Sequence, residues 1–186
     1  MATVASGQVF KSQQEALRIA FPDSQKVARK TVFLDDSQVQ KIQKRARAKV
    51  ESKIVTFYID ESENGPTAFV FFERNTVRTK DEIFMVVVNP DASVRFIEML
   101  AFYEPHDYLP TSKWFELFEL KSLNDKLWPN REIHAVSGAT LSVQAITLGV
   151  RKTLAIYKEV IQSQFYSTGN QVPKTESNNS SPEMDR

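Results

Sequence analysis

Ser137-Gly138-Ala139-Thr140 stands just ahead of a long helical pattern, and it is the stretch best suited to hold a phosphate. A helix start presents unpaired backbone N–H groups and the positive end of the helix dipole. Small side chains let an anion approach that end closely. Thr140 adds a hydroxyl able to carry the phosphate itself, as an ester. A plainer reading makes Thr140 an ordinary helix cap, where Ser and Thr are common.

Other reactive arrangements are weaker. His134 and Ser137 lie three apart, but no Gly-x-Ser-x-Gly elbow accompanies them. No dinucleotide fingerprint and no Walker loop is present. Glu104, Asp107 and Glu116 are able to act as acid or base, yet they equally suit surface carboxylates. The segment Phe102 to Tyr108, with Trp114 close after it, mixes aromatic rings with a few polar groups. That mix suits stacking and orienting a flat, partly polar ring. It also suits a core edge at which Tyr and Trp keep their polar atoms wet.

The elements that must position these residues follow from periodicity. Residues 12–20 read as a short helix, with Ser12 and Glu15 at capping-box spacing and Pro22 beyond its end. Residues 27–34 read as a strand. Asp35-Asp36-Ser37 opens a helix in which Val39, Ile42, Ala46 and Val50 form a narrow buried stripe. Lys41, Lys44, Arg45, Arg47 and Lys49 then make a solvated basic face. Strands are expected at 54–59, 67–72, 81–88 and 94–103, with hairpin connections between 54–59 and 67–72 and between 81–88 and 94–103. Pro110-Thr111-Ser112 opens a helix through Phe118, and 121–136 reads as loop. From Leu141 to about Gln162, apolar residues recur at steps of three or four and mark the longest helix. Gly149 weakens it slightly, and close packing is the expected reason. The fold class is therefore α+β: a twisted antiparallel sheet flanked by helices, with a long C-terminal helix after Ser-Gly-Ala-Thr. One domain spans 8–165. Residues 166–186, rich in Ser, Asn, Pro and charge, are expected to be a disordered polar tail.

Composition excludes several classes. The 186 residues carry 24 basic and 23 acidic side chains, so net charge makes no case for nucleic acid or an anionic membrane surface. With no Cys, disulfides, iron–sulfur clusters and thiolate zinc sites are excluded. Only His106 and His134 remain as imidazole ligands, a poor basis for a metal site. No apolar run is long enough to span a bilayer, and the first residues lack the layout of a signal peptide.

Together these segments resemble the FMN-binding domain family, which includes the flavin subunits of the Rnf and Na+-translocating NADH:quinone reductase complexes and related exported flavoproteins. The residues that carry the resemblance are Val136-Ser137-Gly138-Ala139-Thr140-Leu141-Ser142, then Ala145-Ile146-Thr147 and Val150-Arg151. It extends over 81–160, more faintly over 8–80, and not over the tail. In that family a flavin transferase uses FAD and Mg2+ to join FMN to the last Thr of the motif through a phosphoester. The resemblance implies that role for Thr140, with Ser137, Gly138, Ala139 and Leu141 around the phosphate. It also implies that Glu104, Tyr108, Trp114 and His134 surround the flavin. The chain departs from the family pattern at His134, where many members carry Asp, and after Glu104, where Thr and Gly are missing.

The implied function is an electron carrier rather than an enzyme with its own substrate. A flavin transferase and a redox protein would be its partners. The resemblance further implies an exported, periplasmic mature form and association with a membrane electron-transfer complex. Three rivals stay open: FMN held non-covalently at the same site, a phosphate-binding or partner-docking module without a redox role, and a flavin-dependent reductase. The basic helix near 41–49 would be the docking module's interface.

Overall fold

Strands rich in Val, Ile and Phe pair into one antiparallel sheet because both of its faces can be covered. The computed structural model describes residues 8–166, except Asn64 and Asp125. Its strands are β1 (Gln8–Val9), β2 (Val27–Phe33), β3 (Ile54–Asp60), β4 (Phe69–Val77), β5 (Lys80–Val88) and β6 (Val94–Phe102). The sheet order is β1-β6-β5-β4-β3-β2, every pair antiparallel. The helices are α1 (Gln13–Ala20), α2 (Asp36–Ala46), α3 (Ser112–Glu116), α4 (Thr140–Ile156) and α5 (Gln162–Phe165). A wider helical turn, Tyr157–Ile161, joins α4 to α5.

Period two along β5 divides the core. Phe84, Val86 and Val88 face the layer that holds α2 and α4, whereas Met85 and Val87 face α1. Gly149 is where α4 lies closest to the sheet: a Cβ there would stand 2.8 Å from the Phe84 ring. Close packing is thus the reason for this glycine. Arg151, fully buried, donates to the carbonyls of Ala46, Arg45, Asn124 and Leu127 and ties α4 to the end of α2 and the 124–127 loop.

Both expected helix starts at the N-terminal end form, with capping boxes at Ser12–Glu15 and Asp35–Gln38. In α2, Ile42 and Ala46 are buried, while Lys41 and Arg45 pair with Glu159 at 3.3 and 3.2 Å. Several boundaries differ from the sequence reading. Strand β4 runs on to Val77 and meets β5 through a tight turn at Arg78–Thr79, a hairpin without Gly, Pro, Asn or Asp to announce it. The helix after Pro110 is shorter than expected. Tyr166, placed at the head of the polar tail, donates its hydroxyl to Pro66 O at 2.7 Å; residues 167–186 lie outside the described residues. Among the described residues no helix is long and apolar enough to cross a membrane.

Candidate functional site

The first turn of α4 carries no side-chain cap. Ala139 occupies the capping position, with φ −107° and ψ 21°, and Thr140 is the first helical residue. The helix therefore begins one residue before Leu141, and the reading of Thr140 as the cap is corrected. An alanine at this position leaves the first N–H groups without the side-chain acceptor that Ser, Thr or Asp would supply. Ala139 is buried, whereas Ser137, Gly138, Thr140 and Leu141 are exposed. Thr140 is thus exposed beside Leu141, one of the exposed large apolar side chains.

Gly138 has φ +83°, a left-handed conformation that other residues adopt only with strain. It brings the motif against the single helical turn His106–Tyr108: a Cβ on Gly138 would stand 3.9 Å from Asp107 O. Tyr108 is half-buried, and the Arg78 guanidinium lies over its ring, 4.4 Å from the centroid. Arg78 is exposed in the β4–β5 turn, itself at φ 52°. Sequence reading missed it because nothing in Thr76-Val77-Arg78-Thr79-Lys80 signals a turn.

Trp114 braces the motif from behind. It is buried, its indole packs edge-on to Phe115 and Phe118, and its Nε1–H donates to His134 O at 2.8 Å. The His134 side chain is exposed. His106 is also exposed; its Nε2 lies 3.0 Å from Gln8 Oε1. Glu104 has a different task from lining an open surface. Its Oε1 accepts from the backbone N–H of Thr79 and of Lys80, each at 3.0 Å, and so closes the β4–β5 turn. The Thr79 amide above all holds this carboxyl below its usual range, with the Lys80 amide helping against desolvation.

Trp114, through the His134 carbonyl, and the buried Ala139 support the motif, whereas Glu104 serves the β4–β5 turn and the His134 side chain stands exposed. Ser137, Gly138, Thr140 and Leu141 form the motif's open surface. Its chemical capacity is anion binding and tethering: an exposed threonine at an uncapped helix start. Among the described residues no group of three or more His, Asp or Glu converges as a metal site.

No family model matches the chain, and no curated protein matches it in sequence. Among solved structures it is similar in fold to the crystal structure of Shewanella oneidensis NqrC. The identity is 15%, the TM-score 0.52, and the match covers 80% of this chain and 87% of that one. The likeness spans the α+β architecture described above.

Proposed function

We propose that the chain is an electron-transfer flavoprotein that carries FMN as a phosphoester on Thr140. The observation that carries this reading is the exposed Thr140 at a helix start that no side chain caps. A phosphate there meets free N–H groups and the positive end of the α4 dipole. The fold likeness to NqrC supports a flavin-binding, electron-transfer protein and agrees with the resemblance read from the motif itself.

Bound FMN would supply the electron chemistry, and the protein's work is tethering, orientation and electrostatics. Thr140 is the attachment point. Gly138 gives the backbone turn that presents it, Ser137 keeps the approach free of bulk, and Ala139 is buried beneath them. Leu141 offers an apolar surface beside the tether. Tyr108 and the Arg78 guanidinium above it form the aromatic and cationic border of the same neighbourhood. Trp114 acts through the His134 carbonyl, and Glu104 through the turn that carries Arg78. No general base is required in this scheme.

On this reading residues 8–165 are a single FMN-binding domain. A flavin transferase matures it, a redox protein exchanges electrons with it, and it works at the periplasmic side beside a membrane electron-transfer complex. Of the five basic residues near 41–49, Lys41 and Arg45 are paired with Glu159, which weakens the α2 face as a docking surface. Substitution Thr140→Ala tests the assignment. It should abolish covalent flavin and leave the circular dichroism spectrum unchanged; covalent flavin retained in that variant would overturn it.

A further inference from the structure

Beneath the early turns of α4 lies a buried acid that the proposed function does not use. Glu82 on β5 has no solvent exposure, and neither carboxyl oxygen has a hydrogen-bond partner among the described residues. It pairs across the sheet with Asn75 on one side and Phe102 on the other, and cross-strand partners share a face. That face is the one under α4. Asn75 Nδ2 is bonded to Ala145 O at 3.1 Å, and a Cβ on Gly149 would stand 3.1 Å from the same nitrogen. Gly149 rests on Phe84, two residues beyond Glu82. One strand repeat, about 7 Å, leads from Phe84 to Glu82, and one helical turn, about 6 Å, leads from Gly149 to Ala145. Glu82 therefore lies beneath the first two turns of α4, within about two helical turns of Thr140 along the axis. Ser142, in the first of those turns, is buried with an equally unpartnered Oγ. Two orphaned polar groups thus lie in the layer between the sheet and the start of α4.

An ionised carboxylate in that layer would face the same positive helix end that an anion at Thr140 needs, and the two negative charges would oppose each other through a poorly screening interior. We propose that Glu82 is a positioning residue for the anion at the start of α4, admitting negative charge there as a neutral acid and opposing it once ionised. That the anion is a flavin phosphate rests on the function proposed above; the coupling between positions 82 and 140 does not.

The nearest cations along the chain are Lys80, two residues before Glu82 on the same face of β5, and Arg78 in the adjoining turn, which lies over the Tyr108 ring at 4.4 Å. α4 itself carries no charged residue from Thr140 to Val150. On β4, Glu73 is held by Thr153 Oγ1 at 2.8 Å and Lys152 Nζ at 3.0 Å. After β6, Glu104 is bound to the amides of Thr79 and Lys80. Asp81, next to Glu82 and on the opposite face, pairs with Arg74. Burial raises the Glu82 carboxyl to about 8; the Asn75 amide lies close enough to offset this in part without completing a hydrogen bond to either oxygen.

The test compares Thr140→Asp with Thr140→Asn, which differ by one charge at the first helical position. The Glu82 carboxyl is followed by carbon NMR, its resonance identified by its loss in Glu82→Gln. The Asp variant should titrate about 0.3–1 unit higher than the Asn variant. Flavinylated protein should likewise titrate above flavin-free protein. Coincident midpoints in the Asp and Asn variants would overturn the coupling. A shift in the Asp variant, with no flavin ever found on Thr140, would uphold the coupling and remove the flavin reading.

Discussion

The indole of Trp114 donates its Nε1–H to the backbone carbonyl of His134 across 2.8 Å. This bond joins α3 to the loop that delivers Ser137-Gly138-Ala139-Thr140 to the start of α4. The ring itself is wedged against Phe115 and Phe118, so the donor is fixed in place. The loop entrance is thereby held by one side chain twenty residues upstream.

Replacing Trp114 by Phe keeps an aromatic ring and removes only the donor. The cost should be about 1–2 kcal/mol, from one lost hydrogen bond and imperfect packing. Chemical denaturation checks the magnitude. Flavin attachment at Thr140 should fall in the same variant by more than its small stability loss accounts for, since the loop entrance loses its anchor.

At Gly149 the expectation is purely steric. A methyl group would stand 2.8 Å from the Phe84 ring, well inside van der Waals contact. Gly149→Ala should destabilise by about 1–3 kcal/mol, despite the better helix propensity of Ala. A rise in the denaturation midpoint would show that α4 is free to lift off the sheet.

The buried Arg151 satisfies four backbone carbonyls, those of Ala46, Arg45, Asn124 and Leu127. Arg151→Met keeps much of the packing volume and strands those acceptors. The loss should be about 3 kcal/mol or more. Thermal unfolding measures it, and the released ends of α2 and the 124–127 loop should exchange their amides faster.

Two carboxyls give opposite pH signatures. Glu82 is raised in the folded state, so folding binds a proton there: its favourable contribution is full at acid pH and is lost as pH rises from about 4.5 to about 8. Glu104 is lowered, so its contribution is present above the ordinary carboxylate range and lost as pH falls through its folded value. Stability curves should show both limbs. Glu82→Gln should reduce the stability loss between about pH 4.5 and 8, by on the order of a few kcal/mol, leaving the loss at acid pH and what the buried Glu73 contributes. An unchanged loss over that range would place the titrating group elsewhere.

Much of the framework was legible because it is written in local signals. The capping box at Ser12, the Asp35-Asp36-Ser37 start and the apolar period of α4 marked their helices, and the Val-, Ile- and Phe-rich runs marked the central strands. The motif itself was legible through its small residues and its place before a long helix. What stayed hidden depends on long-range contact. Arg78 meets Tyr108 only because the β4–β5 turn folds over the 106–108 turn, and no turn residue advertises it. Glu82 reads as one polar residue near the head of a strand, and only the arrival of α4 above it makes it an isolated buried acid. Glu104 looked like a ligand-facing carboxylate because its partners are backbone amides twenty-five residues away, which carry no sequence signal.

The central claim is best tested by intact mass spectrometry of the protein co-expressed with a flavin transferase, followed by fragmentation of its peptides. The account predicts an increment the size of FMN, confined to the peptide that contains Thr140 and lost in Thr140→Ala. Protein that stays colourless and unmodified in the presence of transferase, FAD and Mg2+, or an increment on a different residue, would contradict it.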